Sequence, residues 1–151
     1  MSLLENLNDQ LKDAMKSKDK IKLDALRAIK SAILISKTSS GPEKILSLED
    51  EIKILQKLVK QRKESAEIFK NQNRIDLSNP EYAQADVIST FLPDQLSDEE
   101  IDSIISEIIN EIDAKDMSDM GKVMGIASKK MSGKADGKKI STIVKQKLSN
   151  K

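Results

Sequence analysis

Residues 116–139 read Asp116-Met-Ser-Asp-Met-Gly-Lys-Val-Met-Gly-Ile-Ala-Ser-Lys-Lys-Met-Ser-Gly-Lys-Ala-Asp-Gly-Lys-Lys139. Met120, Val123, Met124, Ala127 and Met131 recur at the spacing of one helix face. Gly121 and Gly125 are four residues apart, so they share a second face and leave it almost bare. Glycine inside a helix is disfavoured by about 1 kcal/mol against alanine, so two of them call for a reason. Close approach of another backbone, from a packed helix or a ligand, supplies one; internal packing is expected for at least one of the pair. Gly133 fits a left-handed stop, and Asp136 is placed to cap a following helix around Gly137. Lys122, Lys129, Lys130, Lys134, Lys138 and Lys139 crowd the ends of these two helices and the turn between them.

The rest of the chain repeats the same grammar. Leu4, Leu7, Leu11 and Met15 form a first amphipathic stripe, ending near residues 17–20. Ile21, Ala25, Leu26, Ile29 and Ile33 form a second, and the short connection makes the two an antiparallel hairpin. Residues 37–47, with Ser39-Ser40-Gly41-Pro42, read as a loop. Ser47 and Asp50 approximate a capping box for a long helix over about 48–71. Its stripe of Ile52, Leu55, Leu58, Val59, Ala66 and Phe69 is interrupted by Arg62. That arginine is either snorkelling at the core's edge or held in a buried pair or ligand contact. Asn79-Pro80 reads as a cap followed by proline at the first helical position, opening a helix with Ala83, Val87, Ile88 and Phe91 inward.

Leu92-Pro93 ends that helix and marks a boundary between two helical units, 1–93 and 94–151. Ser97-Asp98-Glu99-Glu100 is a full capping box with acids where the helix dipole favours them. Ile101, Ile104, Ile105, Ile108 and Ile112 follow at helical spacing, and Ile140, Ile143, Val144 and Leu148 close the chain. With aromatics at only 2%, the core has to be aliphatic, and no strand alternation is present. The fold expected is all-α: an N-terminal helical hairpin or bundle and a C-terminal three-helix unit.

Chemistry is constrained by what is missing. There is no Cys and no His, which removes a thiolate nucleophile, the commonest general base and the commonest metal ligands. Gly121-Lys122 lacks the upstream glycine and following Ser or Thr of a phosphate loop. The acid pairs Asp98/Glu100 and Asp116/Asp119 fall at helix starts, where capping accounts for them. No catalytic site, metal or cofactor is therefore assigned. The longest purely apolar run, residues 32–35, is far short of a membrane span. The N-terminal residues lack a signal peptide's charged and apolar regions, and a cytoplasmic protein is the expectation.

The net charge of +1 conceals blocks of opposite sign. Residues 1–75 hold 16 basic against 11 acidic side chains, a net +5. Residues 76–119 hold 1 against 13, a net −12, and residues 120–151 hold 9 against 1, a net +8. Either the basic tail meets an anionic partner or the two blocks neutralise one another within the fold.

Residues 58–65 (Leu-Val-Lys-Gln-Arg-Lys-Glu-Ser), 91–101 (Phe-Leu-Pro-Asp-Gln-Leu-Ser-Asp-Glu-Glu-Ile), 119–125 (Asp-Met-Gly-Lys-Val-Met-Gly) and 133–138 (Gly-Lys-Ala-Asp-Gly-Lys) together resemble the YqeY family, also called GatB/YqeY-like proteins. Lys18-Asp-Lys20 and Leu26-Arg-Ala-Ile29 fit the same family, so the resemblance spans essentially the whole chain. It implies a C-terminal unit similar to the tail domain of the B subunit of glutamine-dependent aminoacyl-tRNA amidotransferase. In that family picture the enzyme amidates mischarged Glu-tRNA(Gln) or Asp-tRNA(Asn), and the tail helps hold the tRNA. A carbon–nitrogen ligase activity with glutamine as amido-N-donor is implied by the resemblance alone. The chain has neither the B subunit's kinase-like body nor the A subunit's amidase chemistry.

The function expected is thus a free-standing tail-like module that binds tRNA or a tRNA-handling complex, such as an amidotransferase or aminoacyl-tRNA synthetase assembly. The candidate contact residues are the six lysines named above with Gly121, Gly125, Gly133 and Gly137. The alternative is a protein–protein adaptor whose glycine face docks another helix. Given ATP, glutamine and Glu-tRNA(Gln), the purified chain alone should form no Gln-tRNA(Gln). Sustained turnover without other subunits, followed by deacylation and amino-acid chromatography, would refute the absence of a catalytic set.

Overall fold

A computed structural model describes residues 2–39, 41 and 45–149, and the loop signals at Ser40 and Pro42 lie outside them. Among the described residues there are seven α-helices and one short 3-10 turn: α1 Leu3–Ser17, α2 Lys20–Ser39, α3 Leu48–Asn71, α4 Ile75–Ser89, α5 Asp98–Ile112, the turn Met117–Asp119, α6 Met120–Lys130 and α7 Gly137–Ser149. No strand occurs among the described residues, so the fold is all-α. The chain divides into two compact units, Met1–Leu92 and Pro93–Lys151.

Serines set three of the helix starts. Ser2, Ser47 and Ser97 each accept from the backbone N–H three residues on, and Glu5, Asp50 and Glu100 return the bond. Each reciprocal pair satisfies two of the orphan donors that a helix N-terminus leaves. Between α1 and α2 the chain reverses at Lys18, whose φ of 57° is left-handed, and Asp19 Oδ1 accepts from the Lys22 N–H at 3.1 Å.

In the N-terminal unit Leu7, Leu11, Ala14, Ala25, Leu26, Ile29, Ile33, Leu46, Leu55 and Ile88 are buried together. Several expected core positions are not in it: Leu4, Ile52, Phe69 and Ala83 are only half-buried, and two more are exposed. Met15 is 53% exposed and Ala14 takes its place, while Ile21 at the start of α2 is exposed. A one-residue step turns a helix by about 100°, so the smaller neighbour comes to face α2. Helix α2 also runs three residues into the expected loop, to Ser39.

Helix α4 departs most from expectation. It begins at Ile75, and Pro80 lies inside it instead of at its first position. The tight turn from α3 explains the early start. Asn73 adopts a left-handed φ of 59°, and the Arg74 guanidinium forks onto the Asp76 carboxylate at 3.1 and 3.0 Å. The N–H groups of Leu77 and Ser78 both donate to the Arg74 carbonyl, so helical bonding is under way before Pro80. The proline withholds the donor that the Asp76 carbonyl would otherwise receive. Arg62 is half-buried, and its Nε donates to Gln84 Oε1 at 3.1 Å, tying α3 to α4. A neutral amide, with the guanidinium at the core's edge, accounts for the polar break in the α3 stripe.

The C-terminal unit buries Ile101, Ile105, Ile108, Ile109, Ala114, Val123, Ala127, Met131, Ala135, Ile140, Val144 and Leu148. Its closure depends on the turn after α6. Gly133 is buried with a φ of 75°, where a side chain would be strained. Its carbonyl accepts from Gln95 Nε2 at 2.8 Å, and the Lys134 carbonyl accepts from the Leu96 N–H at 2.8 Å. These two bonds fasten the segment leading into α5 to the segment leading into α7.

Ile105→Ala should destabilise the C-terminal unit by about 3 kcal/mol, because the residue is fully buried and leaves a cavity. Ser97→Ala removes only a cap and should cost about 1 kcal/mol. Urea unfolding of both variants, followed by circular dichroism, tests that order; equal losses would contradict a core-dominated unit.

Candidate functional site

The lysines singled out from the sequence all lie in the C-terminal unit, and their neighbours differ. Lys139 Nζ lies 2.6 Å from Asp98 Oδ1, and Lys130 Nζ lies 3.7 Å from Glu111 Oε2. Lys147, outside the candidate set, pairs with Asp102 at 2.9 Å. All three carboxylates belong to α5. Lys122, Lys129, Lys134 and Lys138 are exposed and have no ion-pair partner among the described residues, and neither has Lys145. The opposing charge blocks therefore do neutralise one another in part, on the sides of α6 and α7 that reach α5.

Helix geometry explains the sorting in α6 and the pairing of Lys147 in α7. In α6 the buried stripe passes through Val123 and Ala127. At about 100° per residue, Gly121, Gly125, Ser128, Lys129 and Lys122 fall on the opposite side, and all five are exposed. In α7 the buried residues are Ile140, Val144 and Leu148, leaving Lys138, Lys139, Thr142 and Lys145 outward; of these Lys139 alone meets a carboxylate among the described residues, that of Asp98 at the start of α5. Lys145 could have been found from the sequence, since it is seven residues from Lys138 and so shares its face.

Among the described residues, nothing outside the helix packs against the glycines of α6. A Cβ placed on Gly121 or Gly125 would meet no atom within 4 Å, and the same holds for Gly137. The expectation that one of the pair packs internally is thereby corrected: the bare face is turned to solvent. Gly133 is the exception among the candidate residues, being a buried turn glycine.

The ends of these helices are unlike the start of α5. Helix α5 has Asp98, Glu99 and Glu100 in its first turn, whereas α6 and α7 have no acid in theirs. Instead α6 carries Lys122 and α7 carries Lys138 and Lys139 in that position. Positive charge at a helix N-terminus is opposed by the backbone dipole by a few tenths of a kcal/mol each. Asp136 offsets this only locally, accepting from the Lys138 N–H through Oδ1 at 3.3 Å. Among the remaining acids, Asp119 Oδ2 accepts from the Lys115 N–H at 2.9 Å. Asp116 accepts from the Ser118 hydroxyl and N–H, and these bonds hold its carboxyl below the usual carboxylate range. Both are turn-forming groups.

Comparison with known proteins gives the class. The family described as Yqey-like protein matches residues 4–148. The chain belongs to that family. It is 34% identical over 117 residues to the protein named "Altered inheritance of mitochondria protein 41, mitochondrial" of Clavispora lusitaniae, covering 76% of this chain and 67% of that one. The protein of the same name from Pyrenophora tritici-repentis is 30% identical over 135 residues, with 88% and 73% covered. A third relative, a glutamyl-tRNA(Gln) amidotransferase component of Thermococcus gammatolerans, is 40% identical over 74 residues, which is 46% of this chain and only 12% of that one.

The first two relatives correct the expectation of a cytoplasmic protein, since both are named as mitochondrial. The sequence features behind that expectation concern secretion and membrane insertion, and they do not separate one aqueous compartment from another. Among the described residues no helix is long and apolar enough to cross a membrane.

Because both α6 glycines face open space, Gly121→Ala and Gly125→Ala should each stabilise the unit by about 0.5–1 kcal/mol. Thermal unfolding of the two variants measures this. A loss of stability in either would mean that the glycine face is covered in the folded chain.

Proposed function

We propose that the chain is a helical module that binds tRNA through the outer surfaces of α6, α7 and the turn between them. The observation that carries this reading is the sorting of the lysines. Those reaching α5 are matched by carboxylates, while Lys122, Lys129, Lys134, Lys138 and Lys145 are exposed without one among the described residues. Their ammonium groups neutralise phosphates, and the open glycine face lets a ribose–phosphate backbone approach the α6 backbone closely. With 2% aromatics, base stacking contributes little, and recognition is by shape and charge. Similarity to a short part of a protein named for glutamyl-tRNA(Gln) amidotransfer supports tRNA as the polyanion and an amidotransferase or other tRNA-handling assembly as the setting.

Contact with about four phosphates gives a slope of roughly −3 for log K against log salt, by counterion release. Replacing Lys122, Lys129, Lys134 and Lys138 together by Glu should abolish binding of unfractionated tRNA while preserving helicity, since exposed lysines contribute little to stability. Gly125→Leu should fold and bind less tightly, by obstructing the face. Filter binding over a salt series, with circular dichroism as control, decides the matter. Salt-independent binding, or full binding by the charge-reversed variant, would transfer the glycine face to a protein partner.

A further inference from the structure

The lysines paired with α5 mark where the polyanion surface stops, and one of those pairs lies at its edge. Lys139 is the third residue of α7 and directly follows Lys138, which has no carboxylate partner among the described residues. The Lys139 side chain is 50% exposed and that of Asp98 is 73% exposed, so the pair sits within reach of a bound polyanion. Lys147 is more enclosed, at 25% exposure, and its pair with Asp102 belongs to the packing of α5 on α7.

Resting on the tRNA-binding reading above, we propose that Asp98 is an internal competitor for Lys139, limiting the affinity of the lysine surface. The carboxylate occupies the position that a phosphate oxygen would take on the ammonium group, at 2.6 Å. Exposed ion pairs are weak and screened, so a phosphate and the Asp98 carboxylate contend for the same lysine on similar terms. Asp98 is also suited to hold the charge when no ligand is bound. It sits in the first turn of α5, where the dipole favours an anion, and it faces a lysine that the dipole of α7 disfavours. Neutralising Asp98 releases Lys139 to the ligand. Glu99 provides a matched comparison: it occupies the same first turn, is exposed, and has no ion-pair partner among the described residues.

The test is tRNA binding by the full chain across a salt series, for wild type, Asp98→Asn, Glu99→Gln, Lys139→Gln and the Asp98→Asn/Lys139→Gln double variant. Asp98→Asn should bind unfractionated tRNA about three- to five-fold more tightly, the scale of one exposed pair. Its salt slope should steepen by about 0.7–0.9, the increment for one further phosphate. Glu99→Gln should fall well short of that gain, and in the Lys139→Gln background the Asp98 substitution should have no effect. An equal gain from Glu99→Gln, or an Asp98 effect that survives loss of Lys139, would reduce the role of Asp98 to bulk charge and overturn the proposal. Unchanged affinity in Asp98→Asn, with tRNA binding intact in wild type, would overturn this inference alone. Absence of tRNA binding by wild type would overturn the functional reading together with it.

Discussion

The C-terminal unit depends on the turn at Gly133. A left-handed backbone there ends α6 and presents two carbonyls in succession, those of Gly133 and Lys134, to Gln95 and Leu96. Without that reversal α7 could not return to place Ile140, Val144 and Leu148 against the isoleucines of α5. The same turn fixes where Lys134, Lys138 and Lys139 project. A single conformational requirement that favours glycine therefore governs both the closure of the core and the layout of charge on its surface.

Charge is the second constraint, and α5 apportions it. A helix that begins with three acids and keeps others along its length places carboxylates beside whichever lysines come near. Lys130, Lys139 and Lys147 meet them, and among the described residues Lys122, Lys129, Lys134, Lys138 and Lys145 do not. The near-neutral total charge is thus compatible with a surface that is locally basic. Each exposed pair contributes little to stability, so this arrangement bears more on what the surface attracts than on whether the unit folds.

Much of the fold was legible because helices announce themselves locally. The isoleucine stripe of α5, the Ser97–Glu100 box and the left-handed Gly133 are read within one or two turns of chain, and all three are present. Legibility failed where a residue's own signal was overruled by its surroundings. Ala14 was selected over Met15 by the orientation of α1 toward α2, and Pro80 was drawn into α4 because the Asn73–Arg74 turn had already started the helix. In the candidate site the lysines could be counted from the sequence but not distinguished. Their spacing carried no sign that Asp98 and Glu111 would take Lys139 and Lys130 out of the set.

By itself, the sequence determined that this is an aliphatic-cored helical protein without a thiol or imidazole, that it carries the family's motifs, and that its basic residues are concentrated at one end. These are properties of residue type and of short-range periodicity, and they survive any choice of tertiary arrangement. Only the tertiary structure decided that Gly121 and Gly125 face solvent instead of a neighbouring helix, and which lysines keep an unopposed charge. The reason is physical: a helical pattern shows which residues share a face, whereas what that face meets is set by side chains distant in the chain.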